Sequence, residues 1–343
     1  MKTQTARPAL CAVNSLAPLN PVSRPLGVLL LGGLLLGAGQ VGAETVLVTL
    51  EKDNAVAVLD PLAGKLLKTV PVGQRPRGIA ISPDNKIVYV ATSDDNTIKM
   101  LDAETLKELA RLPSGDDPET FALSPAGDKL YVSNEDDSQV TVIDIAKKQA
   151  IKQIKVGVEP EGITASPDGR WLVSASETTN MVHWIDTKTY AISDNTLVDA
   201  RPRAATFTAD SQQLWVSSEM AGTLQILDTA SKQIIKTVQF EATGVTADKM
   251  QPVGIVIDKE RRYGYVALGP ANRVAVVNAQ TFAVEKMFLV GARVWNLAFS
   301  PDQKRLYTAN GISNDVSIID LDSQTVSKSV GVGTYPWGLA VKP

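Results

Sequence analysis

The sequence is poor in the residues that most often carry out chemistry. Its only cysteine is Cys11, and its only histidine is His183. Residues 44–343 therefore contain no cysteine, which excludes disulfides, thiolate metal sites, covalent haem attachment and cysteine nucleophiles from that part of the chain. A single histidine also excludes a metal centre built from several histidines of one chain.

Acidic residues are absent from the first 43 positions, which hold three basic residues followed by the apolar run LGVLLLGGLLLGAG at 26–39. That run is shorter than the roughly 20 apolar residues of a transmembrane helix. The small residues VGA follow at 41–43. We therefore predict a signal peptide over 1–43, cleaved after Ala43, and a periplasmic protein without membrane insertion after cleavage. An uncleaved anchor is the alternative.

Strong charge of either sign is also absent. Loss of the three basic residues of the leader changes the formal net charge from −3 to −6 for residues 44–343. Such a mildly acidic protein is a poor partner for nucleic acid or for an anionic membrane surface. We therefore expect no nucleic-acid partner.

One short pattern, a turn of the type Ser-Pro-Asp between two alternating apolar segments, recurs along the whole of 44–343. The first residue of this turn falls at Ser82, Ser124, Ser166, Thr208, Asp258, Ser300 and Lys342. The spacing is 42 residues except for one interval of 50. A period of this length is typical of the four-stranded blade of a β-propeller.

Each repeat reads internally as four short strands, and the first complete repeat places them at 76–82, 87–92, 97–102 and 106–112. Division of the chain by the repeat length gives seven blades. The C-terminal segment 335–343 supplies one inner strand, and 45–72 supplies three outer strands without an inner partner. The sequence thus predicts an all-β, seven-bladed propeller over 44–343, closed by both termini in one blade.

The segments SPDNKIVYVA, SPAGDKLYVSN and SPDQKRLYTAN, each followed by a strand of the type TVxVID, resemble the YVTN family of β-propeller repeats. The leader, the seven repeats and the single longer interval also resemble periplasmic propellers found with PQQ-dependent alcohol catabolism. This resemblance implies a PQQ-dependent dehydrogenase, a cytochrome or a transport component as partner. It implies no bound cofactor, because the tryptophan and vicinal disulfide of PQQ-binding blades are missing.

Some recurrent polar residues have a structural explanation. Asp or Asn ends the third strand in every repeat, at Asp60, Asp102, Asp144, Asp186, Asp228, Asn278 and Asp320. Such residues cap turns by hydrogen bonding to backbone N–H groups, and we predict turns here and no metal site. His183 occupies a third-strand position for which we predict partial exposure between blades.

The loops that join successive blades lie on one face of a propeller, around its central channel. Two positions of these loops break the repeat with strong charge or large aromatic rings. The predicted ligand- or partner-binding residues there are Arg75, Arg77, Glu119, Glu161, Arg203, Arg293, Trp295, Tyr335 and Trp337. We expect a small anionic or aromatic ligand, or a partner protein. Plain ion pairs between blades and a tryptophan plug are the alternative.

The eight additional residues of the longer interval fall within 240–254, in a loop of the same face. A lid or docking loop and neutral drift both explain them. The leading functional hypothesis is a non-enzymatic binding or scaffold protein. The alternative is an enzyme, either a lactonase with clustered carboxylates and a divalent cation or a haem d1 protein with His183 as axial ligand.

Overall fold

The computed structural model describes residues 44–343, which form seven antiparallel four-stranded sheets. Blade 1 combines β1 (Thr45–Leu50), β2 (Ala55–Asp60) and β3 (Lys65–Pro71) with β28 (Pro336–Lys342). Blade 2 contains β4 (Pro76–Ile81), β5 (Ile87–Thr92), β6 (Thr97–Asp102) and β7 (Glu108–Pro113). Blade 3 contains β8 (Pro118–Leu123), β9 (Lys129–Asn134), β10 (Gln139–Asp144) and β11 (Gln149–Lys155).

The remaining blades repeat this order. Blade 4 contains β12 (Pro160–Ala165), β13 (Trp171–Ser176), β14 (Met181–Asp186) and β15 (Ile192–Leu197). Blade 5 contains β16 (Pro202–Phe207), β17 (Gln213–Ser218), β18 (Thr223–Asp228) and β19 (Ile234–Gln239). Blade 6 contains β20 (Pro252–Ile257), β21 (Tyr263–Leu268), β22 (Arg273–Asn278) and β23 (Val284–Leu289). Blade 7 contains β24 (Val294–Phe299), β25 (Arg305–Asn310), β26 (Asp315–Asp320) and β27 (Thr325–Gly331).

The described helices are three short 3₁₀ turns at Ser93–Asp95, Ala247–Lys249 and Gly269–Ala271. Within 44–343, no helix is long and apolar enough to cross a membrane. The predicted leader lies outside the described residues.

Closure of the ring by both termini is confirmed. Strand β28 pairs antiparallel with β1, with Val341 opposite Val46 and Leu339 opposite Val48. The inner strands β4, β8, β12, β16, β20, β24 and β28 each contact the next one around the ring, and β28 contacts β4. The seven-bladed propeller predicted from the repeat is therefore the observed fold, and its inner strands surround a central channel.

The core lies between the faces of neighbouring blades. The second and third strands of each blade are buried on both faces, whereas the outermost strands are largely exposed. Between blades 4 and 5, for example, Trp184 packs edge-on against Phe207, with ring centroids 6.0 Å apart. A pair of this kind adds about 0.5–1.5 kcal/mol to the burial of its apolar area.

The turn role predicted for the Asp and Asn residues is confirmed in all seven blades. Asp60 accepts hydrogen bonds from the N–H groups of Leu62 and Ala63, and each of the other six residues accepts one from the N–H three positions later. The fourth strand of blade 2 starts two residues later than predicted, because Leu106 lies in the turn. Leu106 has φ 59°, and its N–H bonds to the carbonyl of Asp102, so the strand begins at Glu108.

The inner strands approach each other so closely that some positions admit only glycine. A Cβ atom on Gly162 would lie 2.7 Å from the carbonyl oxygen of Arg203, and one on Gly338 would lie 2.4 Å from that of Arg77. Real Cβ contacts of this length do not occur. The close backbone approach predicted for these glycines is confirmed.

Candidate functional site at the channel mouth

The blade-joining loops hold their exposed residues in an unusual backbone conformation. The residue directly before the inner strand of each blade has a left-handed φ in six of the seven loops. These residues are Arg75, Asp117, Glu159, Arg201, Arg293 and Tyr335. An asparagine side chain accepts a hydrogen bond from the N–H of five of them, as Asn54 does from Arg75. Left-handed backbone costs a non-glycine residue about 1–2 kcal/mol. The repeated asparagine offsets this cost and fixes the side chains over the channel.

The predicted aromatic cluster is present on blades 1 and 7. The rings of Trp295 and Tyr335 lie with centroids 6.4 Å apart. The guanidinium group of Arg293 lies 4.1 Å from the centre of the Trp295 ring, and that of Arg77 lies 5.5 Å from the Trp337 ring. These cation–π contacts stabilise the arrangement. Trp337 is only 5% exposed, so it is a buried wall of the channel.

The ion pairs predicted between neighbouring blades are also present. Arg77 bonds through Nη1 to Oε2 of Glu119, which is fully buried. Arg75 donates from Nη2 to Oε1 of the same carboxylate, at 2.9 Å, and from Nη1 to Asp117, at 2.8 Å. Two arginines therefore serve a single buried carboxylate, an arrangement that compensates its desolvation.

A second ion-pair cluster lies on blades 4 and 5 around Arg203, whose side chain is 9% exposed. Its Nη1 lies 2.7 Å from Glu161 and also bonds to Glu177. Arg201 donates from Nε to Glu177 at 2.7 Å, and Arg293 donates from Nη2 to Glu219 at 2.9 Å. All nine predicted residues thus belong to one assembly of contacts around the mouth.

Sequence reasoning missed four acidic residues of this assembly, Glu51, Glu135, Glu177 and Glu219. They lie in the loops between the second and third strands of their blades, on the same face as the blade-joining loops. The signal was present, since Glu135, Glu177 and Glu219 follow each other at the 42-residue interval. Taken singly, each reads as an ordinary turn residue.

Two carboxyl groups of the assembly have strongly altered acidity. Burial, reinforced by the carboxylates of Glu119, Asp117 and Glu177, raises the pKa of Glu135 to about 8. Burial also raises the pKa of Glu161 well above its ordinary value, although Arg203 lies beside it. Altered pKa values of this kind concentrate at functional sites, although structural ion-pair networks produce them too.

Two cavities open along the channel axis. The mouth cavity has a volume of about 400 Å³ and is lined by Glu51, Lys52, Arg75, Arg77, Glu135, Glu161, Arg201, Arg203, Trp295 and Tyr335. Below it, a channel cavity of about 170 Å³ is lined by residues that include Thr120, Gly162, Asn296 and Trp337. Glu161, Arg203 and Trp295 border both cavities and separate them.

Four buried N–H donors on residues that line these cavities make no hydrogen bond within residues 44–343, namely Nε of Arg77, Nε of Arg203, Nε1 of Trp295 and Nε1 of Trp337. The two arginine Nε atoms still face carboxylates, at 3.5 Å from Glu51 and 3.7 Å from Glu219. All four side chains occupy the same position of their blade-joining segments. A buried donor without an acceptor costs about 1–3 kcal/mol, and native proteins contain few of them.

The mouth does not suit the divalent cation that a lactonase would use. Carboxylate oxygens of Asp117, Glu119 and Glu135 do lie within 4.8 Å of one another. However, Arg75 bonds to both Asp117 and Glu119, and Arg77 also bonds to Glu119. A metal ion would have to displace these guanidinium groups, so the residues present fit an ion-pair cluster better than a metal centre.

His183 does not suit haem ligation, and its predicted partial exposure is wrong. The side chain is 6% exposed and lies in β14, a third strand. Its Nε2 accepts a hydrogen bond from the N–H of Gly157 at 2.9 Å, and its Nδ1 lies 2.6 Å from Oδ1 of Asn195. Burial lowers its pKa. Both nitrogens are therefore engaged within the fold.

The longer interval forms a loop between β19 and β20 that contains the 3₁₀ turn Ala247–Lys249. Phe240 and Met250 are buried at its two ends, while most residues between them are exposed. The side chain of Gln251 accepts a hydrogen bond from Arg293 at 2.9 Å, which connects the loop to the mouth.

Two sequence families match parts of the chain. The family described as YNCE-like beta-propeller matches residues 39–168, and the Choice-of-anchor I domain matches residues 136–304. No curated protein matches the chain in sequence. Together with the seven observed blades, the first match supports assignment to the β-propellers.

Solved structures of similar fold come from proteins of different activities. Hydrazine synthase of Kuenenia stuttgartiensis is 20% identical with a TM-score of 0.74, and the match covers 80% of this chain and 92% of that one. A candidate 6-phosphogluconolactonase of Bacteroides uniformis is 16% identical with a TM-score of 0.73, covering 88% and 100%. The dihydro-heme d1 dehydrogenase NirN is 16% identical with a TM-score of 0.64, covering 84% and 63%. At such identities the likeness shows the fold alone.

Proposed function

We propose that this protein is a non-enzymatic binding protein whose channel mouth takes a small organic anion with several oxygen acceptors. The observation that carries the proposal is the convergence of Arg75, Arg77, Arg201 and Arg203 with the ring of Trp295 around the mouth cavity. A carboxylate or quinone oxygen that enters this cavity accepts hydrogen bonds from guanidinium groups.

The size and composition of the mouth cavity agree with this proposal. Small-molecule sites commonly enclose about 300–1,000 Å³ and combine apolar walls with a few convergent polar groups. The cavity of about 400 Å³ has the rings of Trp295 and Tyr335 on one side and arginines on the others. Two guanidinium groups already lie over the Trp295 ring, so hydrogen bonding contributes more to recognition than stacking does.

The test is calorimetric titration with benzoate and with PQQ, using Arg201→Met to remove one partly exposed guanidinium group from the cavity wall. A hydrogen bond to a charged group contributes about 1.5–3 kcal/mol. We therefore expect at least about tenfold weaker binding. Arg111→Met is the matched control, because Arg111 lies on the outermost strand β7 and does not line the mouth. Equal affinity of Arg201→Met and wild type would contradict the role of the guanidinium donor.

Absence of heat with either anion would support the alternative, in which the tryptophans and ion pairs only close the channel mouth. The enzymatic alternative is tested by metal analysis, by an absorption spectrum and by lactone hydrolysis assays on the purified protein. A stoichiometric divalent cation with lactone turnover would replace the binding proposal.

We also propose that the protein works in the periplasm beside PQQ-dependent alcohol oxidation. The support is the resemblance of its repeats to YVTN propellers and the signal-like leader over 1–43. Mass spectrometry of the exported chain should give Glu44 as the first residue, and retention of Met1 would contradict cleavage. Affinity capture from periplasmic extract, with and without PQQ-dependent growth, tests the partner.

A further inference from the structure

The channel mouth contains more acids than bases among its mostly buried side chains. Its carboxyl groups are Glu51, Asp117, Glu119, Glu135, Glu161, Glu177 and Glu219. Its guanidinium groups are Arg75, Arg77, Arg201, Arg203 and Arg293. Lys52 also lines the mouth cavity and pairs with Glu51, so the carboxyl groups outnumber the cations by one. Among residues 44–343, Glu135 is the one of these seven that forms no ion pair with a base. Ionised groups in such a setting take up a proton or a counter-ion.

A comparison of equivalent positions in the blades shows where the excess of carboxyl groups lies. In blade 5 the inner strand presents Arg203 and the loop after the second strand presents Glu219, whose nearest atoms lie 3.7 Å apart. The same two positions hold Glu119 and Glu135 in blade 3, and Glu161 and Glu177 in blade 4. In blades 3 and 4, two carboxyl groups therefore face each other at the positions where blade 5 has an arginine and a glutamate.

Two carboxyl groups in contact are favoured when they share a proton, because two like charges repel each other. Glu135 hydrogen-bonds to Glu119 and has its pKa raised to about 8. Glu161 hydrogen-bonds to Glu177, and its own pKa is raised by burial. Burial also acts on Glu177, but the hydrogen bond from Glu161 and the charges of Arg203 and Arg201 lower its pKa. The protons therefore reside on Glu135 and Glu161, both of which line the mouth cavity.

We infer that the mouth binds its anionic ligand together with the two protons held by Glu135 and Glu161, so that ligand release accompanies proton release. The inference rests on the proposed function. With both groups neutral, the five arginines and Lys52 outnumber the five remaining carboxylates, so an anion in the mouth cavity meets no net negative charge from this set. Ionisation of Glu135 places a negative charge in the wall of that cavity, where it repels an anion.

The charged neighbours of Glu135 and Glu161 are consistent with weaker anion binding when these two groups ionise. Glu135 is surrounded by Glu119 and Asp117 from the β8 segment and by Glu177 from the β13–β14 loop. Arg75 and Arg77 from the β4 segment are bonded to the first two of these. Glu161 faces Glu177, Glu119 and Arg203. Glu51, Lys52 and Arg201 complete the charged rim of the cavity.

The experiment measures benzoate affinity of the full chain by calorimetry from pH 6 to pH 9.5, in pairs of buffers that differ in ionisation enthalpy. Benzoate itself stays ionised throughout this range. We expect constant affinity at the lower end and about a tenfold loss per pH unit above pH 8, with proton uptake on binding there. Glu135→Gln should retain affinity at pH 9 that wild type has lost. Glu241→Gln, an exposed acid on the same face, is the matched control and should behave as wild type.

Benzoate affinity that is flat or rises with pH would overturn the inference while leaving the binding function intact. Absence of benzoate binding at every pH would count against both the function and the inference. The protons themselves are read without ligand, by a ¹³C-NMR titration of the glutamate carboxyl carbons. Two carboxyl groups should titrate above the ordinary range of glutamate in wild type, one of them near pH 8, and one carboxyl group should do so in Glu135→Gln. Titration of every glutamate below pH 6 would also overturn the inference.

Discussion

Replacement of Arg203 by methionine removes the cation that the buried carboxyl groups of blades 4 and 5 share. Methionine keeps much of the aliphatic length, so the change is mainly one of charge. Breaking a buried ion pair costs about 3–5 kcal/mol when a charge is left uncompensated. Here Arg201 still bonds to Glu177, and Arg293 still bonds to Glu219. We therefore expect the lower end of that range, about 3 kcal/mol.

The assay is thermal unfolding followed by circular dichroism. An unfolding entropy of about 2.1 cal/mol/K per residue over the propeller converts that loss to a fall in Tm of about 5 °C at pH 8. The fall should shrink at pH 5. Without Arg203 the folded-state pKa of Glu177 rises above its unfolded value, so the variant loses stability as pH increases through this window.

Arg111→Met is the matched control, because Arg111 is 62% exposed and pairs with Glu108 at the outer edge. Water screens such surface pairs, so we expect a much smaller change in Tm than for Arg203→Met. Equal shifts for Arg203→Met and Arg111→Met, or a shift that does not depend on pH, would refute the account of the mouth as a buried charge network.

Three further outcomes follow from the fold and from the mouth. Gly162→Ala should lower Tm strongly because its Cβ would meet the carbonyl of Arg203, whereas Gly331→Ala, with no atom within 4 Å, should not; similar melting curves would contradict the close approach. Deletion of 334–343 should prevent cooperative unfolding by removing β28, and an unchanged melting transition would contradict closure. Because folding raises the pKa of Glu135, its contribution to stability should be lost from pH 4.5 to pH 8; the loss in denaturant titrations should be smaller for Glu135→Gln, where Glu161 still has a raised pKa, and an equal loss in both proteins would contradict this.

Much of the fold could be predicted from the sequence because it depends on local pattern. Alternation of apolar residues defined the strands, and the 42-residue interval defined the blades. The Asp and Asn residues at strand ends, such as Asp60, act through backbone groups two and three positions later. Such contacts recur wherever the local sequence recurs, so no knowledge of the neighbouring blade was needed to predict them.

The contacts at the channel mouth could be predicted only in part from the repeat. Repeat position was enough to bring Arg77 to Glu119 and Arg203 to Glu161, since each pair lies one blade apart. It was not enough to reveal that Glu135 faces Glu119, because the second residue enters from a different loop of the same blade.

Burial was likewise decided by tertiary structure. His183 occupies a position that varies between repeats, and this variability suggested partial exposure. It is nevertheless enclosed by contacts with Gly157 and Asn195, and Trp337, predicted for the mouth, is enclosed by the channel. The sequence by itself determined strands, turns and blade number through interactions of a few residues. Closure of the ring determined which charges lose contact with water, because desolvation depends on atoms contributed by several blades at once.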